Sequence, residues 1–124
     1  MFEKNMNISF LLDFYGDVLS DKQREILDLY YNDDLSLAEI AESSGLTRQG
    51  VRHVIKKAED ELINLESKLG LANRFVILGN EYKSIADNLL SVSALIEKGA
   101  PKNEITELLD AEIKKIRMLE FIGD

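Results

Sequence analysis

Apolar residues recur three and four positions apart along nearly the whole chain, and no stretch alternates apolar with polar for long enough to read as a strand. That spacing restricts the fold to packed amphipathic helices, so the expected class is all-α. Ile8, Leu11, Leu12, Tyr15 and Leu19 form the first stripe, which ends near Gly16–Leu19. Ser20-Asp21-Lys22-Gln23 has the form of a capping box and opens a second helix with Ile26, Leu27, Leu29 and Tyr30 on its buried side. The polar cluster Asn32-Asp33-Asp34 closes it. A second capping box, Ser36-Leu37-Ala38-Glu39, starts a short third helix that runs to about Ser43.

The next helix is long. Thr47 is its candidate N-cap, and Val51, Ile55, Ala58, Leu62, Leu65 and Leu69 follow in heptad-like steps up to Gly70. A less regular stretch over Arg74–Gly79 precedes a further helix carrying Tyr82, Ile85, Leu89, Val92 and Ile96. Lys98-Gly99-Ala100-Pro101 reads as a helix end followed by a breaker. Asn103 is the candidate cap of a last helix with Ile105, Leu108, Leu109, Ile113, Ile116 and Leu119 on one face. The expected organisation is a helix-turn-helix domain over residues 1–69, with its recognition helix at about 48–69, and a C-terminal helical extension over residues 70–124 for packing or dimerisation.

Two independent readings converge on one segment. A helix-turn-helix needs a small residue where its helices cross, a glycine in the turn and apolar side chains filling the angle. With Gly45 as the turn glycine, Ala41 takes the small position, and Ile40, Leu46, Val51 and Val54 take the apolar ones. Only Ser44 departs, standing where an apolar side chain is usual. Charge gives the second reading. The chain carries a formal −8, which alone argues against a nucleic-acid partner. Residues 1–46 hold −7 of it, whereas residues 47–57 contain Arg48, Arg52, Lys56 and Lys57 and no acid. The one acid-free basic segment thus begins the recognition helix. Thr47, Arg48 and Gln49 are the side chains that docking in a major groove brings to base edges, with Arg52, His53, Lys56 and Lys57 suited to phosphates. Gly50 stands inside this helix at an intrinsic cost of about 1 kcal/mol relative to Ala.

The residue inventory excludes most enzymes. There is no Cys and a single His, so neither a thiolate site, a cysteine nucleophile nor a multi-histidine zinc centre can form. Glycine-rich phosphate loops, nucleophile elbows and His-Glu-x-x-His are missing, and Asn32-Asp33-Asp34 lacks the spacing of a calcium loop. The expectation is a non-enzyme with no cofactor and no metal. Met1–Asn7 has no basic leader and the apolar clusters are too short to span a bilayer, so a cytoplasmic protein without membrane insertion is expected.

Leu19-Ser20-Asp21-Lys22-Gln23-Arg24, Leu29-Tyr30-Tyr31, Leu35 to Ala41 and Thr47-Arg48-Gln49-Gly50-Val51 resemble the helix-turn-helix of sigma-factor region four. With Leu12-Asp13-Phe14-Tyr15 upstream, the pattern over roughly residues 8–69 is similar to the bacterial YlxM family of small DNA-binding-type proteins. That resemblance implies a sigma-four-like domain and a role alongside the signal recognition particle, an association that rests on gene neighbourhood. Residues 1–19 are too short to hold a polymerase-binding, promoter-melting region, so a working sigma factor is not expected, and Gly50 bars copying base specificity across.

Two functions follow as alternatives. One is a DNA-binding regulator that inserts residues 47–57 into the major groove, as a homodimer joined through its heptad-like and C-terminal helices. The other is a protein- or RNA-binding adaptor of the signal recognition particle or the transcription machinery, built on the same scaffold without specific DNA binding. The excess of acid over base favours this second reading.

Overall fold

The computed structural model describes residues 4–5 and 7–122, so the leader reading of Met1–Asn7 falls largely outside the described residues. It contains six α-helices among those residues and no strand: α1 (Asn7–Tyr15), α2 (Asp21–Tyr31), α3 (Leu37–Ser44), α4 (Arg48–Leu69), α5 (Leu71–Glu97) and α6 (Lys102–Ile122). A single 3-10 turn, Gly16–Val18, follows α1. The all-α expectation holds. Two compact units divide the chain, one ending at Asn73 and the other beginning at Arg74.

The first unit is organised around α4, against which α1, α2 and α3 all pack. Each helix starts where a side chain satisfies the otherwise unpaired N–H groups of the first turn. Asn5 Oδ1 accepts from the Asn7 N–H at 3.0 Å to open α1. Ser20 and Gln23 form a reciprocal capping box at the head of α2. The apolar stripe of α4, namely Val51, Ile55, Ala58 and Leu62, is wholly buried together with Ile8, Ile26, Leu27 and Ile40. The stripe fades at its far end, where Leu65 is half-buried and Leu69 exposed.

The α4–α5 junction departs from the sequence reading. No irregular segment separates the two helices: after Gly70, which adopts φ +63°, α5 begins at Leu71 and runs unbroken through Gly79. The cause is long-range. Glu66 turns its carboxylate onto the start of α5, accepting from the Ala72 N–H at 3.1 Å and from the Asn73 N–H at 3.0 Å. Tyr15, from α1, donates to Glu66 Oε1 at 2.6 Å and accepts from the Leu71 N–H at 3.0 Å.

In the second unit α5, from Arg74 onward, and α6 run antiparallel around the short turn at Lys98–Pro101. Asn88 donates to Glu112 Oε1 at 2.7 Å between the two helices, and Lys115 lies 3.4 Å from the same oxygen. The last helix starts earlier than the Asn103 cap implies. Pro101 lends its carbonyl to the N–H groups of Glu104 and Ile105, which places Asn103 already inside α6. Of the five apolar residues read as one stripe over Tyr82–Ile96, only Ile85 and Val92 are buried.

Candidate nucleic-acid interface

The helix-turn-helix is assembled from three local devices. Ser36 Oγ accepts from the Glu39 N–H and Glu39 Oε1 accepts from the Ser36 N–H, each at 3.1 Å, fixing the start of α3. Gly45 then takes φ +75°, a left-handed conformation costly for residues with a Cβ, and its N–H closes on the Ala41 carbonyl at 3.1 Å. Finally Thr47 Oγ1 accepts from the Gly50 N–H at 2.9 Å and launches α4. Ile40 and Val51 are buried at the angle, with Ala41, Leu46 and Val54 partly buried beside them. The polar exception at Ser44 has a local reason: it is exposed, and its hydroxyl accepts from the Leu46 N–H within the turn.

Residues four apart in an α-helix share a face, and each step turns about 100°. Buried Val51, Ile55, Ala58 and Leu62 therefore anchor one side of α4, while Arg48, Gln49, Arg52, His53, Lys56 and Lys57 spread over the other. All six are exposed, as is Thr47 at the helix start. The structure brings the seven sequence-read residues onto one solvent-facing surface of the unit. They are not equivalent within it. Lys56 Nζ approaches Asp60 Oδ1 at 3.4 Å, an exposed i,i+4 pair that offsets part of its charge. His53 and Lys57 turn instead toward the start of α2, where they line a groove of about 490 Å³ with Ser20, Lys22, Gln23, Val54 and Glu61.

Lys22 was missed by sequence reasoning. It sits in an acidic stretch, and only the fold brings it beside Lys57. Gly50 also acquires a local meaning, because a Cβ there would stand 3.1 Å from Thr47 Oγ1, the atom that caps the helix.

Beneath the exposed face lies a polar contact that the apolar pattern does not announce. Glu59, buried on α4, accepts from the Tyr31 hydroxyl at 2.8 Å. Burial raises the Glu59 carboxyl above its ordinary range, opposed by the Tyr31 hydrogen bond and by Lys56. Burial likewise pushes the Tyr31 phenol up. The pair joins α2 to α4 directly behind the basic face. Among the described residues no group of three or more His, Cys, Asp or Glu is placed to hold a metal ion, and no helix is long and apolar enough to cross a membrane.

Comparison with known proteins extends the likeness beyond the helix-turn-helix. A family model described as "Putative helix-turn-helix protein, YlxM / p13 like" matches residues 2–115, which takes in much of the second unit. A UPF0122 protein of Clostridium kluyveri is 46% identical over 85 residues, covering 68% of this chain and 77% of that one. One from Malacoplasma penetrans is 38% identical over 109 residues, 88% of this chain and 89% of the other. A Thermoanaerobacter relative is 37% identical over 114 residues, 92% and 94% of the two chains. The helix-turn-helix class is not an enzyme class. With residues 2–115 matched and the turn built as its geometry requires, the chain belongs to the UPF0122 family of YlxM / p13-like helix-turn-helix proteins.

Proposed function

We propose that this protein binds duplex DNA by presenting the exposed face of α4 to the major groove, and that it acts as a regulator. The carrying observation is the placement of Thr47, Arg48, Gln49, Arg52, His53, Lys56 and Lys57 on the solvent side of α4, opposite its buried stripe, with no acid among residues 47–57. Arg48 and Gln49 occupy the first turn, where side chains reach base edges, and each can make two parallel hydrogen bonds to a purine. Arg52, Lys57 and Lys22 lie farther along the surface and serve phosphates. The likeness to sigma-factor region four supports this mode of docking.

Fluorescence anisotropy on duplexes selected from a genomic pool tests the reading. Changing Arg48, Arg52 and Lys57 to Ala together removes one base contact and two phosphate contacts, and loss of the two phosphate contacts lowers the magnitude of the log K against log salt slope by about 1.8. Binding weakens with it. Unchanged affinity and slope refute the proposal.

A second reading rests on the charge outside this face. Residues 1–46 carry −7, a field that slows approach to any polyanion. It favours a protein-binding adaptor, on the signal recognition particle or on the transcription machinery, that uses the same scaffold. Absence of selected fragments together with co-purification of a component of either assembly supports that reading over the first.

A further inference from the structure

The basic face of α4 changes sign abruptly along its length. Residues four apart form rows on one side of a helix, each step rising about 6 Å. One row runs from Arg52 through Lys56 to Asp60, and the next from His53 through Lys57 to Glu61. Both rows turn acidic at the same height, one turn beyond the lysines. The two acids differ in what they do there. Asp60 Oδ1 takes Lys56 Nζ at 3.4 Å, whereas Glu61 pairs with no cation among the described residues, although Lys57 stands one turn before it.

Glu61 shares the α2–α4 groove with Lys22, His53 and Lys57. The other polar side chains of that groove are occupied, since Ser20 and Gln23 satisfy each other in the capping box. Neither Lys22 nor Lys57 has an ion pair or hydrogen bond among the described residues, and both are exposed. Two ammonium groups facing one concavity without a counterion repel each other, and an anion between them relieves that repulsion. Lys22 also borders a second groove, between α2 and the end of α3, but its charged neighbour there is the acid Glu25. The cations converge only on the α4 side. We infer that Glu61 bounds the DNA interface: its carboxylate closes the phosphate track of α4 beyond Lys57 and turns the sugar-phosphate backbone across the groove to Lys22. This inference rests on the DNA reading above and adds the place where the interface ends. A carboxylate one helical turn, about 6 Å, from a phosphate at Lys57 lies within the Debye length of about 8–10 Å at ordinary salt. It therefore opposes binding where more distant acids are screened.

Fluorescence anisotropy of the full chain on a duplex selected from the genomic pool is the test, read both as affinity and as salt slope. Glu61→Gln strengthens binding about two- to threefold at about 0.1 M salt. Asp13→Asn makes the same charge change at an exposed site of α1 outside the groove, and it leaves affinity within about 1.3-fold. Glu61→Lys adds a cation to the track and steepens the log K against log salt slope by about 0.9, whereas Lys22→Ala flattens it by about 0.9. A gain from Glu61→Gln no larger than that from Asp13→Asn overturns the inference, because net charge alone then accounts for both. So does a slope that Lys22→Ala leaves unchanged. In either case, weakened binding by Arg48→Ala leaves the DNA reading standing, whereas a wild-type chain that selects no duplex overturns both.

Discussion

Removing one oxygen atom tests whether the long-range network at the α4–α5 junction holds the first unit together. Tyr15 is 2% exposed, and its hydroxyl donates to Glu66 Oε1 at 2.6 Å while accepting from the Leu71 N–H at 3.0 Å. A hydrogen bond to a charged group contributes about 1.5–3 kcal/mol, and the Leu71 N–H, freed at an exposed position, recovers a water partner. Tyr15→Phe should therefore cost about 2 kcal/mol. Glu66→Ala removes the same bond, strands the buried phenol and uncaps the Ala72 and Asn73 N–H groups, for about 3 kcal/mol in all. Because both single changes break the shared bond, the double variant should cost clearly less than their sum, a coupling of about 1.5 kcal/mol. Urea unfolding read at the buried residues Ile55 and Leu62 by NMR isolates the first unit, where a 2 kcal/mol loss moves the midpoint by about 1 M. The coupling also has a pH signature. The Tyr15 hydrogen bond is the main influence holding the Glu66 carboxyl below its ordinary value, so its contribution is complete above the unfolded value of 4.5 and is lost as pH falls through the folded one. A coupling below about 0.5 kcal/mol at pH 7, or one unchanged in acid, refutes the argument.

The remaining predictions concern the recognition unit. Glu59→Gln keeps an oxygen for the Tyr31 hydroxyl and removes a charge that burial disfavours. Because the folded value of Glu59 is raised, its carboxylate destabilises at neutral pH, and the variant should be more stable there by up to about 1 kcal/mol, with the gain vanishing below the unfolded value of 4.5. Gly45→Ala meets no neighbouring atom, so its cost is the left-handed backbone alone, about 1–2 kcal/mol in thermal or urea unfolding; no loss would show that the turn relaxes. Ile55→Ala, at a wholly buried position of α4, should cost 2–5 kcal/mol, roughly, and a loss under 1 kcal/mol would show that α4 is not the centre of the core.

How much of this was legible in advance depends on the range of the interaction. The capping boxes at Ser20 and Ser36, the turn at Gly45 and the cap at Thr47 all act within three or four residues, so a linear reading finds them. The candidate face was legible for the same reason, since its residues lie on one helix whose opposite side is set by the Val51–Leu62 stripe. What was hidden arises across the chain. Tyr15 and Glu66 are 51 residues apart, and nothing local at Leu71 announces that a carboxylate from the preceding helix will start α5 there. Lys22 and Lys57 share a groove only because α2 packs on α4. Glu59 interrupts no apolar spacing, so its burial beside Tyr31 left no mark.

Periodicity misled in one instructive place. Tyr82, Ile85, Leu89, Val92 and Ile96 step by three and four and read as one stripe, yet they belong to two lines set about 60° apart, one buried against α6 and one exposed. A three-four spacing specifies that a helix has an apolar side; it does not specify how many neighbours that side serves. The first unit supplies α4 with three partner helices and buries its stripe, while α5 beyond Asn73 buries Ile85 and Val92 and leaves Tyr82, Leu89 and Ile96 exposed. Three-four spacing alone therefore does not separate a finished core from a surface line: Val51–Leu62 is buried under three helices, whereas Tyr82, Leu89 and Ile96, and Ile77, Leu90 and Met118 off that line, stay exposed.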